Sequence, residues 1–262
     1  MKKIVLIFIL FFLAFIFYFP IYQENIIKKK CLNPSICIFN PDIGSVGSGV
    51  VVRSDDFGEY YYNVAVTCEH IILEDNRLFP SGYRVKIPIF KKNKIICYNE
   101  YPCVIYEKNK EYDLAIVLFF TNYKINCADF GFDSKLDIND KILKVGYGLG
   151  DDFRIDHGNI TSIDGKLNGS RNLYRMNAFS IFGDSGGPVF YQNKLIGITK
   201  GIRTSENIPL FFISFATSIK NLKNWEKELN NIDFVYDNSK KLPLLPTYFL
   251  EFSQWKIKKE GP

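Results

Sequence analysis

From Ile4 to Phe19 no charged residue interrupts the chain, and the apolar run continues through Pro20, Ile21 and Tyr22, 19 residues in all. As a helix this run is about 28 Å long, close to the hydrocarbon thickness of a bilayer. It exceeds an ordinary signal-peptide core, and Phe17 to Asn25 lacks the small-x-small pair that a signal peptidase reads. Residues 1–22 are therefore expected to be a retained N-terminal transmembrane helix, with secretion the outcome if the segment is cleaved. No helical period gives the run a polar face, which argues against a buried core helix.

After a linker at 23–39, the pattern changes to short β-type runs punctuated by turn residues. They fall at Ser48–Val52, Tyr60–Thr67, Tyr83–Phe90, Lys94–Cys97 and Leu114–Phe120, then at Lys141–Val145, Asn159–Ile163, Leu173–Met176, Val189–Tyr191, Lys194–Thr199 and Leu210–Phe215. The two series divide near Thr121–Asp133 and predict two antiparallel β-rich halves, about 40–123 and 130–217. Ile219, Leu222, Trp225 and Leu229 recur at three- and four-residue spacing and predict a helix over 218–229. The tail 232–262 is too short for another ordinary domain, although Leu242 to Trp255 is apolar enough to dock on the body.

Composition changes this picture little. With 47% hydrophobic and 23% charged residues, 24 Phe and 16 Tyr, the chain has ample material for a core, and global disorder is excluded. Of the net charge of +5, +4 lies in residues 1–30, where five lysines face Glu24, so the rest carries about +1 and no nucleic-acid footprint. Two histidines and no C-x-x-C pair argue against metal chemistry. Lys2 and Lys3 nearly balance Lys28, Lys29 and Lys30 across the apolar run, so charge alone does not orient it. The six cysteines are an even number, and Cys31/Cys37 and Cys97/Cys103 are spaced to close small loops, which favours an oxidising, extracytoplasmic side with the pairing left open.

The segment Gly183-Asp184-Ser185-Gly186-Gly187-Pro188, followed by Val189-Phe190-Tyr191, sets one hydroxyl in a loop whose glycines permit a sharp turn and expose backbone N–H groups. A serine nucleophile with donors for an oxyanion needs that arrangement. Such a hydroxyl also needs a base. His70 follows the strand-like run Asn63 to Glu69 and would stand at a rim, whereas His157 lies within a strand-like run and reads as structural. The base in turn needs a buried acceptor, and Asp113, opening Leu114-Ala115-Ile116-Val117-Leu118, is placed for it.

On these segments the chain resembles the chymotrypsin/trypsin-like serine endopeptidases, including the bacterial HtrA-type protease domain. The likeness spans about residues 40–231: Gly47-Ser48-Gly49-Val50, Val66-Thr67-Cys68-Glu69-His70, Tyr112-Asp113-Leu114-Ala115, Gly146-Tyr147-Gly148 and the serine segment, in the order His, Asp, Ser. The resemblance implies an all-β fold of two antiparallel six-stranded β-barrels with a C-terminal α-helix that holds Trp225. It also implies His70 as general base, Asp113 as its orienter, Ser185 as nucleophile and the N–H groups of Gly183 and Ser185 as oxyanion hole. Phe179 would form the base of the primary pocket and Ser180 its wall, with Thr199, Lys200 and Gly201 as the strand that pairs with substrate.

The chain departs from the family in three places. Cys68-Glu69 replaces a small pair and brings a carboxylate next to the histidine. No basic cleavage site precedes an Ile-Val-Gly-Gly-like sequence, so Asp184 has no new amino terminus to pair with. There is also no room for a PDZ domain.

The expected function is a membrane-tethered or exported serine endopeptidase acting on protein or peptide substrates through an acyl-enzyme, without cofactor or metal. A catalytically silent protease-like binding module is the alternative. An esterase built on a nucleophile elbow fits neither the chain order nor the β-rich pattern.

Overall fold

The computed structural model of the chain describes residues 20–73, 82–91, 94–150, 152–167, 170–206, 208–218, 220, 221 and 223. Residues 20–27 are helical and lead into a π-helical stretch, Lys28–Leu32. Twelve strands follow. The first six are β1 (Ser35–Asn40), β2 (Ser45–Phe57), β3 (Tyr60–Thr67), β4 (Arg84–Lys91), β5 (Lys94–Asn109) and β6 (Leu114–Thr121). They close into a barrel in the order β1-β2-β3-β6-β5-β4, every pair antiparallel. The second barrel closes in the order β10-β11-β12-β9-β8-β7. Its strands are β7 (Lys141–Gly148), β8 (Asp152–Leu167), β9 (Ser170–Met176), β10 (Pro188–Tyr191), β11 (Lys194–Ser205) and β12 (Ile208–Ser218).

The strands form where the sequence alternates or runs apolar. On β4, Val85 and Ile87 are buried while Arg84 and Lys86 remain half-exposed, the period of two that a one-sided strand requires. On β6, Leu114 to Phe119 are all buried, so its continuous apolar run is covered on both faces. Each fully buried Val or Ile contributes about 1.5–3 kcal/mol. The larger core fills the first barrel and extends through Val145, Phe190, Leu195 and Ile198 into the second, which has a smaller cluster of its own around Ile142, Ile160 and Met176.

Several expectations need correction. Ser35–Phe39, expected as linker, belong to a barrel strand, Ser35–Asn40, with Ile36 and Ile38 fully buried. Ser218 ends β12, and of the helix expected over 218–229 only Lys220, Asn221 and Lys223, all helical, are described. Trp225 and the tail 232–262 lie outside the described residues. So does the apolar run up to Phe19, and among the described residues no helix is long and apolar enough to cross a membrane.

No disulfide joins any two of the six cysteines, all of which lie among the described residues. For Cys97 and Cys103 the reason is geometric: both lie on the extended strand β5, which separates them by about 20 Å. Cys31 and Cys37 hydrogen-bond instead to Asn193 and to the carbonyl of Gly150.

Candidate active site

His70 is reached where β3 ends at Thr67 and the chain turns through a single 3₁₀ turn, Glu69–Ile71. Asp113 stands immediately before β6 with φ at 54°, a left-handed conformation that aspartate tolerates better than most residues. The carboxylate is 7% exposed and the imidazole 45%. His70 Nδ1 lies 2.9 and 3.0 Å from the two Asp113 oxygens, and the His70 backbone N–H also donates to Oδ1 at 3.0 Å. A carboxylate can only accept here, so in the neutral ring the proton resides on Nδ1 and Nε2 carries the lone pair.

Burial acts to raise the Asp113 carboxyl. The hydrogen bond and charge of His70, the Lys200 ammonium and the His70 N–H outweigh it and hold the group below its ordinary value of 3.8. Its ionised form therefore stabilises the fold above that value, and the contribution is lost as pH falls through the depressed folded value. The melting temperature of the wild type is expected to fall towards that of Asp113→Asn below pH 3.8. Parallel thermal scans from pH 7 downwards check this, and a constant gap would contradict it.

Ser185 sits in a loop shaped by two left-handed glycines, Gly183 at φ +96° and Gly186 at φ +88°. A Cβ on Gly183 would stand 2.4 Å from the Tyr147 carbonyl oxygen, and one on Gly186 would stand 2.1 Å from that of Ser48. No side chain fits at either position. Gly186 N–H donates to the Thr199 carbonyl and Thr199 N–H to that of Gly187, which staples the loop to β11. Among the described residues neither Gly183 N–H nor Ser185 N–H donates to a protein acceptor. The Ser185 hydroxyl donates to the Lys200 carbonyl at 3.3 Å, and no hydrogen bond joins it to His70 among the described residues.

The two barrels meet at this loop. Ser48 on β2 donates its N–H to the Ser185 carbonyl at 2.7 Å and its hydroxyl to the Gly183 carbonyl at 2.7 Å, while accepting from Tyr147 N–H of β7 at 2.8 Å. The Cys68 thiol, two residues before His70, bonds the Thr199 carbonyl at 3.0 Å. Histidine and serine segments are thus fixed to the same stretch of β11.

Three lysines decide the electrostatics. Lys200 is the extra residue of a bulge in β11, between Thr199 opposite Ala216 and Gly201 opposite Phe215. A bulge re-aims a side chain, and the Lys200 ammonium reaches Asp113 Oδ2 at 3.2 Å. Glu69, expected to press on His70, instead faces Lys108 at 3.5 Å. Lys144 on β7 is fully buried, 2.7 Å from Asp184 Oδ2. Gly146, two residues along the same face, makes room for that carboxylate, since a Cβ there would stand 2.5 Å from Asp184 Oδ1.

The remaining expected site residues are distributed around the loop. Phe179 is half-buried, stacked on Phe211 at 5.7 Å, edge-on to Phe212 at 5.1 Å, and covered by the Arg154 guanidinium at 4.4 Å from its centroid. Ser180 is buried, and its N–H donates to the Phe211 carbonyl. The Thr199 backbone is taken up by the serine loop. Past Ile198, β11 loses its ladder with β10; the Lys200 carbonyl there takes the Ser185 hydroxyl, and the edge is left open at Gly201 among the described residues. His157 is exposed on β8, opposite Leu143.

Cys68 Sγ, His70 and Asp113 offer three ligand atoms within 4.8 Å of one another. The set suits a cation poorly. Asp113 already serves His70 and Lys200, and burial pushes the Cys68 thiol far from its thiolate form.

Two closed six-stranded barrels, with a histidine and a buried aspartate on the first and a serine in a glycine loop on the second, define the chymotrypsin-like class of fold. A family model described as a trypsin-like peptidase domain matches residues 47–198, more than half of the chain, and the chain belongs to that family. No curated protein matches it.

Proposed function

We propose that the chain is a serine endopeptidase that cleaves protein or peptide substrates through an acyl-enzyme, tethered to a membrane by residues 1–22. The observation that carries the reading is the His70–Asp113 pair on a segment fixed, through Cys68, to the same Thr199 that staples a serine loop with two unclaimed N–H donors. In the reaction the Ser185 hydroxyl leaves the Lys200 carbonyl and attacks the scissile carbonyl carbon as His70 Nε2 takes its proton. Gly183 N–H and Ser185 N–H receive the oxyanion, and Asp113 balances the imidazolium. His70 then protonates the leaving amine, and water enters by the same route in reverse.

A silent binding module is the second reading, favoured by the Lys200 ammonium on Asp113 and the serine hydroxyl turned to a carbonyl. Fluorophosphonate labelling decides between them. The endopeptidase reading expects labelling of the wild type and of His157→Ala at similar rates, with His70→Ala unlabelled. Labelling that appears only in Lys200→Met would mean that Lys200 silences the native site.

Tethering is supported by the 19-residue apolar run. The cysteines no longer speak for the side, since all six are thiols. Removal of residues 1–22 is expected to move labelled protein from the membrane to the soluble fraction.

For specificity, an aromatic ring at Phe179 under a guanidinium supplies no carboxylate and opposes a second cation. Small or medium apolar residues such as Ala or Val are therefore expected on the acyl side of the cleaved bond. A peptide library checks this, and dominant cleavage after Arg or Lys would overturn the assignment of Phe179.

A further inference from the structure

The residue before the nucleophile, Asp184, is 1% exposed, and a buried carboxylate is costly unless it is paired and hydrogen-bonded. Its Oδ2 serves two partners, the Lys144 ammonium at 2.7 Å and the Ile181 N–H at 3.0 Å. The backbone of Asp184 closes the same turn, since its N–H donates to the Ile181 carbonyl and its carbonyl accepts from Gly187 N–H. Asp184 is therefore the root of the loop that displays Gly183 and Ser185.

The chain of charge continues outward. Lys144 lies directly opposite Asp156 on the ladder between β7 and β8, with 3.6 Å from its Nζ to Asp156 Oδ2. Asp156 holds Arg154 at 3.1 Å, and Arg154 covers the Phe179 ring. Two carboxylates and two cations alternate from the nucleophile loop to the aromatic floor beside it.

We infer that Lys144 is an internal positioning residue which holds the nucleophile loop in its working shape in the uncleaved chain, so that no proteolytic step is needed to create a cation for Asp184. The inference deepens the endopeptidase reading and, for its catalytic consequence, rests on it. Because Lys144 belongs to a barrel strand, the cation is delivered by folding itself. Without it Asp184 would be left buried and uncompensated. The carboxylate would leave towards solvent, taking the Ile181 contact and the aim of the Gly183 and Ser185 N–H groups with it.

The test uses the full-length protein in detergent as wild type, Lys144→Met and Lys144→Arg, read by two measurements. One is hydrogen exchange of the peptide spanning 181–187. The other is the rate of fluorophosphonate labelling, with the intact mass of the labelled species.

The expected result in Lys144→Met is loop exchange about tenfold faster with the β3 and β6 peptides unchanged. Labelling should slow by about a hundredfold, as for loss of an oxyanion donor. Lys144→Arg should recover part of both, and the labelled wild type should have its uncleaved mass. Unchanged loop exchange in Lys144→Met, or labelling confined to a shortened chain, would overturn the inference. A wild type that is never labelled, with the exchange result as expected, would sink the endopeptidase reading and leave the positioning role standing.

If Lys144→Met fails to fold, the double variant Lys144→Met/Asp184→Asn removes both buried charges and should restore cooperative unfolding with the loop still exchanging fast. Wild-type exchange in that double variant would count against the inference.

Discussion

Replacing Ser185 with alanine is expected to remove fluorophosphonate labelling and to lower kcat for peptide hydrolysis by about 10⁶-fold, because the members of a nucleophile–base–acid unit fail together. The fold should be unaffected. The hydroxyl makes one long hydrogen bond, 3.3 Å to the Lys200 carbonyl, while the loop is held by the Ser185 carbonyl, Gly186 and Thr199. Peptide affinity should also survive, since Gly183 N–H and the open edge of β11 do not depend on the side chain. Active-site titration with a thermal scan of the same sample measures both. Retained labelling in Ser185→Ala would relocate the nucleophile and remove the central assignment.

Asp113→Asn is expected to cost about 10⁴-fold in kcat with little change in KM. An amide of the same shape turns an N–H₂ towards His70 Nδ1, which can then only accept, so the ring proton moves to Nε2 and the base is lost. The structure adds a second penalty. The Lys200 ammonium is 12% exposed and 3.2 Å from Asp113 Oδ2, and with the carboxylate gone its positive charge opposes any protonation of the neighbouring His70 ring. Steady-state kinetics of the purified variant are the check. A loss smaller than tenfold would mean that Asp113 does not orient the base.

The sequence makes legible those features whose chemistry is local. Tyr60–Thr67 is β3 at the same two ends, and Leu114–Phe120 differs from β6 by one residue, because an apolar run bounded by turn residues has no other good solution. The serine segment and the sequence ending in His70 are likewise local. Closure of each half with six strands came from family resemblance, since the runs alone gave only eleven strands in two groups. β1 was missed although Ile36 and Ile38 alternate with Cys37, because Ser35–Asn40 lies among polar and turn residues that read as linker.

Pairwise geometry between distant segments was not legible. Cysteine parity suggested disulfides, yet two of the cysteines share one extended strand. Lys144 lies inside the strand-like run Lys141–Val145, and nothing there points to a partner 40 residues further on. Gly146 was a weak signal, because a glycine two residues from a lysine on a strand can mark where another group enters. Lys200 was read for its backbone alone, and nothing in Thr199-Lys200-Gly201 announces the bulge that turns its side chain to Asp113.

The hydroxyl of Ser48 receives the N–H of Tyr147 from the second barrel and gives its proton to the carbonyl of Gly183. The peptide beside Ser185 is thereby a fastener between the halves of the molecule. Parting of the barrels is expected to release this loop, so the proposed activity would be lost before the chain unfolds. On the endopeptidase reading proposed above, heat, a nick or a misfolded half would switch the site off at the seam, and cutting would require an assembled pair of barrels.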